Sequence, residues 1–181
     1  MSSPRTISNR TMMNRTLVLV ACLAIFSWPS DVATPPPPNL YPVSSTFKLD
    51  FEKLVVARQV EKHLRKHGFS DELIAGALVN AYAESKLDAS AVGKAGERGI
   101  FQLNPKGLGH GMTADEMQDI TLSVNRVARA VLKNDRVMEL ERKGGTVAQH
   151  ALMFCQEIER PRHKERKARE RVKLIEKIMI D

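Results

Sequence analysis

The sequence predicts a mainly α-helical domain with at most a small β-hairpin, and three observations carry that prediction. Apolar residues recur three and four positions apart from Asp50 almost to the C-terminus, the period of helices that bury one face. Residues with helix-capping chemistry (Asp50, Ser70, Thr113, Thr146) stand at the heads of the periodic stretches. Regularity lapses most clearly over residues 92–103, where Gly93, Gly96 and Gly99 fall close together; an irregular excursion or a hairpin belongs there.

Two segments of different character precede this region. Residues 1–16 carry Arg5, Arg10 and Arg15 and no acid, and residues 17–28 form an apolar run ended by Pro29. A membrane span needs roughly 20 apolar residues, so a basic start followed by a shorter run reads as an export signal. Residues 1–30 are therefore assigned to an export signal, a lipoprotein signal or a retained membrane anchor. Leu19-Val20-Ala21-Cys22 supports the second option, with Cys22 as the acylated residue. Pro35 to Pro38 in succession favour an extended, semi-rigid chain. Residues 31–48 are read as a linker, and residues 49–181 as the folded domain.

Within that domain, Asp50 caps a first helix with Phe51, Leu54, Ala57, Val60 and Leu64 on its inner face, and Gly68 closes it in a left-handed conformation. Ser70 caps the second, with Asp71 and Glu72 in the first turn, where the helix dipole favours acids. Thr113 and Glu116 have capping-box spacing and start a short third helix. A helix over residues 121–141 buries Leu122, Val124, Val127, Ala128, Val131 and Leu132. Gly144 and Gly145 break the pattern, Thr146 restarts it and Pro161 interrupts it. A last helix covers residues 162–179, with Arg, Lys and Glu at the offsets of surface ion pairs.

The second helix brings chemistry with it. Its stripe of Leu73, Ile74, Ala77, Leu78 and Ala81 runs directly into Glu84. A carboxyl at the end of an apolar stripe is disfavoured in its charged form, and a Glu kept protonated near neutrality can give its proton to a leaving oxygen. The glycine-rich return and the apolar run Ile100-Phe101-Gln102-Leu103 then supply a cleft wall.

Composition excludes several classes. The 181 residues are 43% hydrophobic and 5% aromatic, suited to one domain and an extension. Lys and Arg exceed Asp and Glu by 28 to 21, a net charge of +7, which favours polyanions: nucleic acid, anionic membrane or bacterial wall polymers. With only Cys22 and Cys155 present, no disulfide framework exists; Cys155 reads as a small buried apolar group. His63 and His67 lie four apart on a helix but lack a third ligand, so they read as a basic face and no metal is expected. The glycines fit no nucleotide fingerprint, so no cofactor is expected either. The basic last helix lacks interleaved aromatics, and nucleic acid is not the expected partner.

Glu84-Ser85 followed by Gly96-x-x-Gly99-Ile100-Phe101-Gln102 resembles the Glu-Ser and Gly-x-x-Gly-Leu-Met/Phe-Gln pair of the lysozyme-like superfamily. Residues 63–85 are similar to the helix–turn–helix lead-in of its phage-tail-lysozyme group, and Phe154 to Pro161 (FCQEIERP) to that group's Glu-Arg-Pro signature. The likeness spans about residues 50 to 175.

The resemblance implies a lysozyme-like helical domain that degrades peptidoglycan, as a lytic transglycosylase or a muramidase. The bond cut would be the β-1,4 link between N-acetylmuramic acid and N-acetylglucosamine, with Glu84 as general acid and base. Glycosidases commonly use two carboxyls. Glu97, between Gly96 and Gly99, is the candidate second one, and Asp88 reads as a turn residue. A transglycosylase needs only one, because the muramyl 6-hydroxyl attacks the anomeric carbon. Ser85, Gln102, Tyr82 and Phe101 are the candidate substrate-binding residues, with Asn104 a further hydrogen-bonding group. Ser85 and Phe101 have structural alternatives, a hydroxyl tying down a nearby carbonyl and a core aromatic. The implied partner is the glycan strand, with membrane contact through residues 1–30. The implied location is the periplasm or cell envelope, or a virion.

The sequence also departs from the family. Both tyrosines, Tyr41 and Tyr82, precede Glu84, so the Tyr-Asn support that many transglycosylases place late in the chain is missing. The only Trp is Trp28, in the leader. These departures motivate an alternative reading, a non-catalytic wall- or membrane-binding module that keeps the lysozyme-like shape. Glu159-Arg160-Pro161 is expected to fix the last helix through an Arg–carboxylate pair.

Overall fold

The computed structural model describes residues 42–180; the leader and the consecutive prolines of the linker lie outside them. The described chain is mainly helical and is built around α2 (Asp71–Ser85), against which α1 (Phe51–Arg65), α6 (Val147–Phe154) and α7 (Lys164–Ile178) pack. Every α2 residue from Leu73 to Ala81 is buried. The periodicity suggests one apolar stripe, but alanines and Gly76 on the remaining faces let neighbours close in all round. A Cβ at Gly76 would lie 2.8 Å from both the Ala151 nitrogen and the His150 Cβ of α6, so the crossing requires glycine. Among these buried residues Asn80 alone has a polar side chain. Its Nδ2 donates to the carbonyls of Gly76 (2.8 Å) and Ala151 (2.9 Å), which fixes where its oxygen points.

Capping chemistry sets the helix starts. Asp50 accepts from the Lys53 nitrogen at 3.0 Å, and Ser70 Oγ accepts from the Leu73 nitrogen at 3.2 Å. Ser70 is itself held by Glu141, which accepts from its nitrogen (2.6 Å) and hydroxyl (2.8 Å). Thr113 opens α3 (Ala114–Gln118) and Thr146 opens α6, each with both hydrogen bonds of a capping box.

The expected helix over 121–141 is two helices, α4 (Ile120–Leu132) and α5 (Asp135–Arg142). Asn134 accepts from the Val137 nitrogen at 3.1 Å, and a side chain that bonds a nearby backbone donor starts a new helix more readily than it continues an old one. Two inner-face expectations fail for reasons of phase and position. Phe51 is 79% exposed; Val60 stands nine positions on, half a turn out of phase at 3.6 residues per turn. Leu122 and Leu132, in the first and last turns of α4, are exposed as well.

Ahead of α1, residues Val43–Thr46 make a 3-10 turn whose nitrogens at Val43 and Ser44 donate to Glu61 (2.9 and 2.8 Å). Val43 and Phe47, within the stretch assigned to the linker, are buried. The Lys48 nitrogen donates to the Ile178 carbonyl (2.6 Å) and the Ile180 nitrogen to the Thr46 carbonyl (2.7 Å), which ties the end of α7 to this segment. Over residues 92–103 no strand forms; isolated bridges join Val92 to Arg98 and Arg98 to Leu103. Among the described residues no helix is long and apolar enough to cross a membrane.

Candidate active site

Helix α2 stops abruptly after Ser85. Lys86 and Leu87 both take left-handed backbone angles (φ +61° and +63°), which cost a residue with a side chain about 1 kcal/mol or more each. Burial of Leu87 offsets part of that cost. The Ser85 hydroxyl lies within hydrogen-bonding distance of the carbonyls of Ala81 (3.1 Å) and Ile100 (2.9 Å). It thus ties the end of α2 to the apolar run after the glycines. Glu84 is held at the junction, 28% exposed at its side chain.

Beside this junction lies a cavity of about 1160 Å³, lined by Glu84, Glu97, Phe101, Gln102, Asn104 and Glu159 among others. It exceeds the roughly 300–1,000 Å³ of a small-molecule pocket. Phe101 is buried, with its ring centroid 6.0 Å from that of Phe154, and both line the cavity. The Gln102 amide points inward: Nε2 donates to the carbonyls of Gly99 (3.0 Å) and Ala91 (3.2 Å). Glu97 accepts from the Ala95 nitrogen (2.9 Å) and from Asn104 Nδ2 (3.4 Å).

Of the residues singled out in the sequence, Glu84, Glu97, Phe101, Gln102 and Asn104 meet at this cavity, whereas Ser85 and Tyr82 are not part of its lining. Tyr82 lies half-buried with Lys86 Nζ 4.8 Å from its ring centre, a cation–π pair. Asp88 accepts from the nitrogen (2.8 Å) and hydroxyl (2.7 Å) of Ser90, a turn device. The loop at 107–111 borders the cavity through Gly107 and Leu108 and is held by Arg126, which donates to the carbonyls of Leu108 and His110. His63 and His67 are bonded to Thr121 and Asn125 of α4 (3.1 and 3.0 Å).

No motif in the sequence marks the group that holds Glu84. Arg171 of α7, 4% exposed at its side chain, donates through Nη2 to Glu84 Oε1 and, at 3.0 Å, to Glu159 Oε2. Its Nε donates to Asn80 Oδ1 at 2.9 Å. The helix α2 backbone orients Asn80, Asn80 orients Arg171, and Arg171 orients two carboxyls. An Arg–carboxylate pair does join Glu159 to α7, but its arginine is Arg171; Arg160 donates instead to the Glu157 carbonyl at 2.8 Å.

Glu159 reaches Arg171 because α6 does not end regularly. Residues Cys155–Glu159 form a π-helical turn, followed by left-handed Arg160 (φ +50°) and Pro161. Single π turns re-aim the side chains after them. Burial pushes the Glu159 carboxyl up to about 7 against the pull of Arg171, and the charge on Glu84 pushes the same way. Burial also drives the neighbouring Cys155 thiol up to about 12, which makes it inert. Chemically, the arrangement offers one fixed carboxyl at a groove, a buried cation behind it, and a second carboxyl competing for that cation.

No group of His, Cys, Asp and Glu that could hold a metal ion occurs among the described residues. No curated protein and no solved structure matches the chain. The family model of phage tail lysozyme matches residues 55–178, well over half of the sequence. The chain therefore belongs to the phage tail lysozyme family.

Proposed function

We propose that this protein cleaves peptidoglycan at the β-1,4 bond between N-acetylmuramic acid and N-acetylglucosamine, with Glu84 as general acid and base. The supporting observation is the placement of Glu84: it ends the buried helix at a cavity of about 1160 Å³, and Arg171, itself held by Asn80, fixes its direction. In the proposed step Glu84 gives its proton to the bridging oxygen and the bond from that oxygen to the anomeric carbon breaks. Positive charge then develops on the sugar ring beside the Glu84 carboxylate. A hydroxyl next attacks the anomeric carbon and returns its proton to Glu84. If the hydroxyl is the muramyl 6-hydroxyl the enzyme is a lytic transglycosylase; if it is water the enzyme is a muramidase, in which Glu97, lining the same cavity, takes the water's proton in place of Glu84. Gln102 and Asn104, which line the same cavity, are the proposed contacts for the N-acetyl groups of the strand. The proposed setting is the cell envelope, reached through residues 1–30, or a virion.

One observation favours the non-catalytic reading: a carboxylate already engaged by a guanidinium is a poor proton donor. Digestion of purified cell walls by the full chain, with mass analysis of released fragments, separates these readings. Anhydromuramyl ends indicate transglycosylase chemistry and reducing ends indicate hydrolysis. Wall binding without release of fragments contradicts the enzyme reading.

A further inference from the structure

We infer that Glu159 is a positioning and charge-tuning residue for Glu84: the two carboxyls draw on one guanidinium nitrogen of Arg171, so Glu84 takes up the proton it must donate when Glu159 gives its own up. This inference rests on the proposed role of Glu84 as the acid.

The geometry leads to it directly. Arg171 Nη2 serves Glu84 Oε1 and Glu159 Oε2, while Nε is spent on Asn80. The cation is buried and its charge must be balanced inside the protein. While Glu159 is neutral, Glu84 alone balances it and is kept as a carboxylate. When Glu159 ionises, it balances Arg171 by itself, and Glu84 can be protonated without leaving a buried cation unpaired.

The exchange conserves charge: one carboxyl loses a proton as the other gains one, and the trio of Glu84, Glu159 and Arg171 stays neutral throughout. No further reactant is needed. Two features of Glu159 suit it to the proton-bearing role. Its Oε1 is sealed from solvent with no nitrogen or oxygen donor, and beyond Arg171 the carboxyl has only the weak Cys155 thiol, a costly state for a carboxylate and a much cheaper one for a neutral acid. Its pKa, raised by burial to about 7, lets the exchange happen near neutrality.

Around Glu159 stand Glu84 from α2, Arg171 from α7 and Cys155 on its own turn. Arg136 from α5 is taken by Glu157, and Arg160 by the Glu157 backbone. Lys133 from α4 and Arg162 line the same groove.

The test is the pH dependence of wall digestion by the full chain carrying Glu159→Gln, which mimics the protonated form at all pH values. The expected wild-type rate holds up to near neutrality. In the variant the decline sets in at lower pH than in the wild type, so that near neutrality its rate is lower by about ten-fold or more, while in acid the two converge. Glu159→Asp, which can ionise, restores part of the neutral rate. A uniform loss at every pH would mean a purely structural role and would overturn the inference, as would an unchanged limb.

A second readout needs no turnover and so stands apart from the fate of the Glu84 reading. Carbon-13 titration of the glutamate carboxyls in the intact protein is expected to place Glu159 at about 7 and to move it down when Glu84→Gln removes the neighbouring charge. A midpoint at Glu159 that ignores this substitution would overturn the coupling whatever the wall assay gives.

Discussion

Gly96 and Gly99 both take left-handed backbone angles (φ +87° and +74°), yet alanine at the two positions is expected to have different consequences. At Gly96 an added Cβ meets nothing closer than Pro105 Cγ at 4.0 Å, so the cost is backbone strain alone, about 1 kcal/mol. At Gly99 the same atom would sit 2.1 Å from the Met117 carbonyl oxygen and 3.0 Å from its carbon. These are backbone atoms at the end of α3, and only displacement of the helix relieves the overlap. Overpacking of that kind adds about 1–3 kcal/mol. Gly99→Ala is thus expected to destabilise by about 2–4 kcal/mol in total, against about 1 for Gly96→Ala.

Urea unfolding followed by far-UV circular dichroism measures both, and a domain of this size loses roughly 3–5 °C of melting temperature per kcal/mol. Because the Gly99 carbonyl accepts from Gln102 Nε2, Gly99→Ala is also expected to slow wall digestion while Gly96→Ala does not. Equal stability of the two variants would refute the claim that close approach to α3, rather than turn geometry alone, requires glycine at 99.

Two further outcomes follow from buried carboxyls. Glu61 satisfies the Val43 and Ser44 nitrogens and pairs with Arg65 at 2.8 Å. Glu61→Ala therefore strands two backbone donors and is expected to lower stability by about 3 kcal/mol in denaturant unfolding. Stability should also vary with pH in two opposed ways. Burial alone would raise Glu61, but the Ser44 and Val43 nitrogens and Arg65 outweigh it and hold its pKa below the ordinary 4.5. Its contribution is therefore present above about pH 4.5 and lost as pH falls through its folded-state value. Glu159, raised from 4.5 to about 7, contributes stability that is lost as pH rises between those values. The stability of Glu159→Gln relative to the wild type should accordingly rise across that window, by at most about 3 kcal/mol, and a flat difference would contradict its buried, protonated state.

Local signals in the sequence carried much of the architecture. Asp50, Ser70, Thr113 and Thr146 cap helices as their types and spacings predict, because a cap is decided by residues three or four apart. Arg171 shows what such signals leave out. Its partners lie 87 and 91 positions away, at Glu84 and Asn80, and no period links them. One hint was present. Ala168, Arg171 and Ile178 share a buried face, with Leu174 and Ile175 partly buried beside it. A lone arginine in a stripe that otherwise reads as apolar calls for a carboxylate on the facing element.

The π turn was illegible for a related reason, since residues 155–159 have ordinary helical composition and no local signal marks the turn, in which Cys155 and Ile158 are buried. That Glu84 ends an apolar stretch was legible; that it lines a cavity beside a buried guanidinium was not.

The central claim is that Glu84 carries the proton that breaks the glycan, and Glu84→Gln tests it most directly. Glutamine keeps the size and one acceptor for Arg171 but has no acidic proton. With an unchanged circular dichroism spectrum, release of soluble fragments from purified peptidoglycan is expected to fall by about 10²–10⁴-fold. Release at the wild-type rate by a folded Glu84→Gln protein would contradict the account.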